Sequence, residues 1–213
     1  NRNITLETIM THHQHDWSAK TYFKNIYLTQ EEIKHLLDQG CNLSIMYNDS
    51  MTWELVEYAI SLNKYSLNVI FTMVSFQPYV TLEIVKKYSN NDTNDEDALP
   101  NYPWNYYGLS SLKDLTWSFV EANLDKKWNW NKIMHRDFMT FDRALTIYRL
   151  LEQQRNEYNK PDIELLFRNK AILPRDIIAH SDIKIYDMPI INTKNLIILK
   201  NREEGKITDD AII

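Results

Sequence analysis

Three histidines and an aspartate cluster near the start of the chain, in the run His12-His13-Gln14-His15-Asp16. Imidazole nitrogens and carboxylate oxygens are common ligands of zinc and related metals. Histidines that bind one metal from a single helix usually stand four residues apart. This run instead lies at the end of a predicted helix, directly before Trp17. We therefore interpret it as a solvated turn between two helices, and we predict no bound metal and no cofactor.

A second concentration of possible ligands is the acidic segment 89–97. Its carboxylates belong to Asp92, Asp95, Glu96 and Asp97. Acidic and amide side chains alternate here as in a calcium-binding loop, but Asp97 stands where that loop needs glycine and Pro103 where it needs glutamate. We interpret the segment as a solvated loop, and its four carboxylates are the candidate partner-binding residues, facing a basic patch on another protein. The alternative is a loop without a binding role.

Nucleophilic and phosphate-binding groups are sparse. Cys41 is the single cysteine, and the nearest histidine in sequence is His35. Cys41 occupies an apolar position of the pattern described below, so we predict a small buried hydrophobic residue. One cysteine excludes an internal disulfide framework and fits a reducing, intracellular compartment. With 3 glycines spread along the chain, no glycine-rich phosphate loop is possible. We predict no catalytic residues and a protein that is not an enzyme.

Residues 112–140 indicate which helices form the framework around these groups. Thr116 is typical of a helix N-cap, with Leu115 before it and Val120 four residues after it as a hydrophobic staple. Asn129 is a second cap, 13 residues further on, and the residue before it is again apolar, here Trp128. The next threonine cap follows 11 residues later. The stretch therefore predicts two short capped helices in a unit of 24 residues.

Equivalent caps recur along the chain at similar spacing. The predicted caps of the first helices are Thr5, Thr29, Thr52, Thr81, Thr116 and Thr140, with Pro174 in the same place once. The predicted caps of the second helices are Ser18, Asn42, Ser66, Asn105, Asn129, Asp162 and Asp187. The residues directly before each cap and four after it are apolar or aromatic. They include Leu173 and Ile178 around Pro174.

The pattern predicts an all-α fold, an α-solenoid of short helix-pair repeats with a period of about 24 residues. Helix pairs this short cannot bury their apolar faces alone, so neighbouring pairs must stack. We expect one array of about seven units over residues 1–199, with inserts near 89–100 and 149–160. Residues 200–213 are a charged tail or the start of a further repeat. The predicted core tryptophans are Trp17, Trp53, Trp104, Trp117, Trp128 and Trp130.

Composition limits the classes of partner. Hydrophobic content is 44% and charged content 25%, which is ordinary for a folded chain. The net charge of −5 argues against a general electrostatic grip on nucleic acid. The most apolar run, residues 183–199, is interrupted by charged residues and a proline, so we predict no membrane-spanning segment.

The clearest unit resembles the tandem repeats found in many proteins of giant DNA viruses of the mimivirus kind. The residues that carry the resemblance are Pro103-Trp104-Asn105-Tyr106, Leu109-Ser110, Leu115-Thr116-Trp117, Val120, Asn123, Asp125 and Trp128-Asn129-Trp130. Outside residues 100–140 only the cap and staple pattern is shared. The resemblance implies a viral repeat protein made in host cytoplasm, or a virion component. It transfers no functional residue, because such repeats carry no settled activity.

Two classes of function follow from these observations. The first is a protein–protein interaction scaffold or structural repeat protein, whose partners are other proteins. The second is a nucleic-acid-binding module or an enzyme built on helical repeats. RNA recognition by helical repeats needs a basic, aromatic-lined face, and Lys126, Lys127 and Lys132 form only a small basic spot. The sequence therefore favours the scaffold.

Overall fold

The computed structural model describes residues 23–24, 26–89, 102–153 and 161–179, with 184–185, 188–189, 198 and 201. These residues form ten α-helices, one 3-10 helix and one short antiparallel ribbon. The α-helices are α1 (Gln30–Asp38), α2 (Trp53–Ser61), α3 (Leu67–Val74), α4 (Leu82–Lys87), α5 (Tyr106–Leu109), α6 (Trp117–Glu121), α7 (Trp130–Met134), α8 (Phe141–Gln153), α9 (Glu164–Arg168) and α10 (Pro174–Ala179). The 3-10 helix is Leu43–Tyr47, and the ribbon pairs β1 (Lys184–Ile185) with β2 (Met188–Pro189). Within the described residues, the fold is all-α apart from these two-residue strands.

The chain divides into two compact units, Asn1–Leu115 and Thr116–Ile213. The boundary falls at Thr116, where the sequence predicts the start of a helix pair. The single array over 1–199 stays a prediction. The histidine run, the caps at Thr5, Ser18 and Asp187, the acidic segment from residue 90 onward and most of the tail from residue 200 lie outside the described residues.

Among the described residues, most predicted helix starts are confirmed by a hydrogen bond that the cap side chain accepts from a backbone N–H. At the start of α1, the Thr29 hydroxyl accepts from the Glu32 N–H at 3.2 Å, and the Glu32 carboxylate accepts from the Thr29 N–H at 2.8 Å. This is the predicted capping box. Side-chain caps also form at Asn42, Thr81, Asn105, Thr116, Asn129 and Thr140. The prediction for Asp162 is wrong by one residue, because α9 has its cap at Ile163, which makes no side-chain cap bond. Thr52 and Ser66 precede α2 and α3 as predicted, without a side-chain cap bond.

The prediction for α10 is wrong by one residue. Pro174 was expected in the cap position, with Leu173 and Ile178 as buried staple residues, but α10 begins at Pro174 itself. Leu173 and Ile178 are 40% and 51% exposed, whereas Ile177 is fully buried. The physical reason is that proline fixes φ near its helical value and lacks the N–H that would be unpaired in the first turn, so it suits the first helical position. Leu173 is therefore the cap.

Two helices end on a residue in the left-handed conformation. After α1, Gly40 has φ 72°, its N–H donates to the Leu37 carbonyl at 3.0 Å, and the Cys41 N–H donates to the Leu36 carbonyl at 3.1 Å. This is the Schellman arrangement, which confirms the predicted role of Gly40. After α2 the same position is taken by Asn63, with φ 50°.

Two consecutive turns recur directly before the first helices of the pairs. Before α2, the Asn48 N–H donates to the Ile45 carbonyl at 2.9 Å, and the Met51 N–H donates to the Asn48 carbonyl at 3.0 Å. We call this arrangement a paired turn. The same two bonds form around Gln77, Leu112 and Arg136, each four residues before a threonine cap. Before α10, Ile172 donates to Asn169 in the same way, which again places the cap at Leu173.

Two buried asparagines tie a paired turn to the end of the preceding helix pair. The Asn48 side-chain amide donates to the Phe23 and Ile26 carbonyls at 2.7 and 2.8 Å. The Asn169 amide donates to the Met134 and Arg136 carbonyls at 2.5 and 3.1 Å. Each carboxamide oxygen also accepts from the N–H two residues ahead. Both units therefore use one buried amide to satisfy three backbone groups.

The core is built from the predicted staple positions. Among the described residues, every position four after a predicted cap is fully buried except Ile178. These residues are Ile33, Met46, Val56, Ile70, Val85, Leu109, Val120, Ile133, Ala144 and Leu166. The described tryptophans, Trp53, Trp104, Trp117, Trp128 and Trp130, are buried as predicted. Trp17 lies outside the described residues.

Candidate functional site: a groove between two turns

Reactive groups are scarce in the described part of the chain. Within it, no three His, Cys, Asp or Glu side chains are grouped so as to hold a metal ion. Cys41 is buried, as predicted, and burial raises the pKa of its thiol to about 12. The nucleophilic thiolate is therefore rare at neutral pH. None of the described helices is both long enough and apolar enough to cross a membrane.

The Glu57 carboxylate is held by several neighbours. Its Oε1 accepts from Trp53 Nε1 at 3.1 Å and from the Tyr88 hydroxyl. The Lys87 ammonium lies 3.5 Å from the same oxygen. Trp53 also stacks on Trp104, with ring centroids 5.9 Å apart. These contacts tie α2 to the end of α4, so we interpret the cluster as a structural bridge.

A groove of about 340 Å³ opens between two paired turns of the first unit. One wall is formed by the end of α3 and the turn Gln77–Val80, and the other by residues 111–114 of the turn Leu112–Leu115. We call it the turn groove. Phe76, Pro78, Val80 and Leu112 supply its apolar surface. The recurring turns thus build a concave site at a place where both backbones are held by their own hydrogen bonds.

Gly108 lets the two walls approach. A Cβ atom at this position would lie 2.9 Å from the Ser75 carbonyl oxygen and 3.0 Å from the Phe76 ring. Glycine is therefore required for α5 to pack against the end of α3. Phe76 covers Gly108 with one part of its ring and remains 41% exposed. Its position in the groove is fixed by this contact.

The two charged side chains of the turn groove differ in whether they have a hydrogen-bond partner within the described chain. The Asp114 carboxylate accepts from the Leu82 N–H at 2.7 Å, which occupies it at the first turn of α4. Lys113 is exposed, and within the described chain its ammonium has neither an ion pair nor a hydrogen bond. The groove therefore presents an apolar surface beside one lysine and one carboxylate, whose charges are opposite.

An apolar stripe on α3 continues into the groove. Val69, Met73 and Phe76 are spaced at i, i+4 and i+7, which places them on one side of the helix and its last turn. Val69 is 45% exposed and Met73 is half-buried. The opposite side of α3 faces the core through Ile70, Phe71 and Val74. Val69 and Phe76 are the exposed apolar side chains of this stripe.

The structure does not place the predicted partner-binding residues. Asp92, Asp95, Glu96 and Asp97 lie outside the described residues, so their role stays a prediction. The basic spot is partly neutralised, because Lys126 pairs with Asp125 at 2.8 Å. Sequence reasoning did not identify the turn groove. One sequence signal could have indicated it. Phe76 and Pro78 stand between a helix and a threonine cap, and the corresponding positions of the other paired turns carry more polar residues.

Comparison with known proteins assigns the chain to no family. No protein-family model matches the chain, and no curated protein or solved structure is significantly similar to it.

Proposed function

We propose that the chain is a non-enzymatic protein–protein interaction scaffold. The observation that carries the proposal is the exposed stripe Val69–Met73–Phe76, which leads into the turn groove. The polar side chains that recur, such as Thr116 and Asn129, are engaged in capping helices. The residues left for function are the ones that do not recur, and several of these are exposed and apolar.

We further propose that the helix pairs are repeats of an α-solenoid with a period of about 24 residues. Support comes from the paired turns and from the two asparagines that tie one pair to the next. A solenoid offers long surfaces on a rigid backbone, which suits partner binding. From the resemblance to giant-virus repeats we propose that the protein is made in host cytoplasm or is a virion component, and the single cysteine is consistent with a reducing compartment.

Capture of partners by the full chain tests the scaffold. The tagged chain is expressed in cells, and proteins bound to it are quantified by mass spectrometry. We expect the double variant Val69→Ser/Phe76→Ser to lose at least one partner of the wild type. The matched control is Leu173→Ser/Ile178→Ser, which removes two similarly exposed apolar side chains from the second unit. Circular dichroism confirms that both variants fold.

Equal retention of every partner by both double variants contradicts a contact role for the stripe. Deletion of residues 89–99 is the parallel test of the acidic insert. Loss of a partner in that deletion alone transfers the binding role to Asp92, Asp95, Glu96 and Asp97. Loss in the stripe variant alone assigns it to the described surface.

A further inference from the structure

We propose that the chain pairs with a second copy of itself through the exposed residues of α3 and α5. The pairing rests on the proposed scaffold function, and it names the partner of the stripe Val69–Met73–Phe76 as the same stripe on another molecule. Three features support it: the exposed apolar side chains of these helices, the absence of charge among them, and the net charge of the chain.

The exposed apolar side chains extend from α3 to α5. Val69 and Phe76 are 45% and 41% exposed along α3 and its last turn. A Cβ atom at Gly108 would lie 3.0 Å from the Phe76 ring, so α5 packs directly against the end of the stripe. Tyr107, the residue before Gly108, is 49% exposed. Large apolar side chains are therefore exposed on both of these neighbouring helices.

Both segments that build this surface are uncharged. Residues 65–82 and residues 102–112 contain no Asp, Glu, Lys, Arg or His, although 25% of the whole chain is charged. The two segments lie together, since the Asn105 N–H donates to the Ser75 hydroxyl at 3.0 Å. Among the described α-helices, α3 and α5 alone lack a charged residue. We call the exposed residues of the two segments the neutral face.

The net charge of −5 restricts where two copies can meet. Two copies repel each other at long range because they carry the same net charge. In a two-fold contact the same surface lies on both sides, so a charge near its centre meets a like charge. The neutral face avoids this repulsion, and its apolar side chains leave water when two copies pair. A charged partner would form no ion pair with the residues of this face.

The size of the neutral face limits the strength of the dimer. Its large exposed apolar side chains are Val69, Phe76 and Tyr107. Such a contact belongs with the small interfaces, which bury less than about 1,200 Å² in total. We expect a dissociation constant on the order of 10 µM. Added salt should leave the dimer unchanged or strengthen it, because salt screens the repulsion between two copies that each carry a net charge of −5.

Sedimentation equilibrium of the full chain over about 1–200 µM measures the pairing. We expect the average mass to rise from 25.5 kDa toward twice that value. Val69→Lys/Thr72→Lys and Val69→Glu/Thr72→Glu place like charges in the neutral face at two exposed positions. Each double variant should pair at least about tenfold more weakly than the wild type. An equimolar mixture of the two should pair again, because the ammonium groups of one copy then face the carboxylates of the other.

The matched controls carry the same lysine or glutamate changes at Leu173 and Ile178, which are similarly exposed in the second unit. They should pair like the wild type, and circular dichroism checks that all variants fold. A wild type that stays monomeric throughout overturns the proposal. Neutral-face variants that pair normally, or a mixture that stays monomeric, do the same.

Failure of the pairing is distinguishable from failure of the scaffold function. If the wild type is monomeric but Val69→Ser/Phe76→Ser loses a cellular partner, the scaffold stands and its partner is a different protein. If the wild type pairs but that variant retains every cellular partner, the dimer stands and the contact role of the stripe toward other proteins is contradicted.

Discussion

Trp104 in the first unit and Trp128 in the second occupy the same place before a capped helix. Each donates its backbone N–H to the carbonyl two residues earlier, at 2.9 and 3.0 Å. Each precedes an asparagine cap with similar dihedral angles, φ −88° and ψ 96° at Asn105 against φ −81° and ψ 90° at Asn129. The indole N–H groups differ: Trp128 Nε1 donates to the Asn123 carbonyl at 2.8 Å, whereas Trp104 Nε1 is buried without a partner in the described structure.

The difference shows what this position requires. In the second unit, Asn123 lies five residues before Trp128 and its carbonyl is within reach. In the first unit, the corresponding stretch belongs to the insert between α4 and α5. Trp104 instead packs on Trp53 at 5.9 Å and edge-on to Phe71 at 4.7 Å. Both positions thus require a large aromatic ring. The indole hydrogen bond forms only where the preceding residues bring a carbonyl within reach, as Asn123 does for Trp128.

The largest effect is expected when the ring itself is removed. Trp128→Ala and Trp104→Ala should each lower the free energy of unfolding by about 3–5 kcal/mol, because both rings fill a packed interior. Urea unfolding followed by circular dichroism measures the loss. A cost below about 1 kcal/mol for one of them would break the equivalence of the two positions.

The asparagines Asn48 and Asn169 extend the comparison to polar residues. Replacing either by alanine removes the partner of two buried or part-buried carbonyls and of one N–H. We expect each variant to lose about 2–3 kcal/mol of unfolding free energy. The same urea titration checks this, with Asn68→Ala on the exposed side of α3 as the control. Unequal losses would show that one unit depends on its amide more than the other.

Trp→Phe variants isolate the indole hydrogen bond. Both substitutions remove similar volume, but Trp128→Phe also breaks the bond to the Asn123 carbonyl, while Trp104→Phe relieves an unpaired N–H. We expect Trp128→Phe to cost about 1–2 kcal/mol more than Trp104→Phe. Thermal unfolding of the two variants side by side provides the measurement. Identical losses would contradict the proposed role of the Asn123 carbonyl.

Gly108 and Lys132 occupy equivalent positions, three residues after an asparagine cap. Between them we expect the smallest difference in unfolding free energy. Gly108→Ala places a methyl group against the Ser75 carbonyl oxygen, which cannot move cheaply. We expect Gly108→Ala to lower the free energy of unfolding by about 1 kcal/mol, although alanine is the better helix former. Lys132→Ala should change the unfolding free energy by less than about 0.5 kcal/mol. A stabilising Gly108→Ala would mean that the groove wall can shift.

Local patterns predicted much of the helical framework. Thr29, Thr81, Asn105, Thr116 and Asn129 were identified as caps because a cap needs only a short polar side chain and an apolar partner four residues on. The predicted position of the buried staple residue is wrong around Pro174. The proline takes the first helical position, so the buried residue is Ile177 instead of Ile178.

The turn groove and the asparagine ties could not be predicted in the same way. Phe76 and Lys113 are 37 residues apart in sequence and meet only through packing. Asn48 looks like any polar loop residue until the carbonyls of Phe23 and Ile26 are placed beside it. Asn63 likewise takes the left-handed conformation because α2 stops there, which composition does not specify.

The paired turns also have a kinetic consequence. Each bond of a paired turn closes a loop of only three residues, so forming it loses little chain entropy. Chains dominated by such near-neighbour bonds fold fast, because few distant segments must meet first. A growing chain can therefore set each turn as it leaves the ribosome, before the next helix pair has been synthesised.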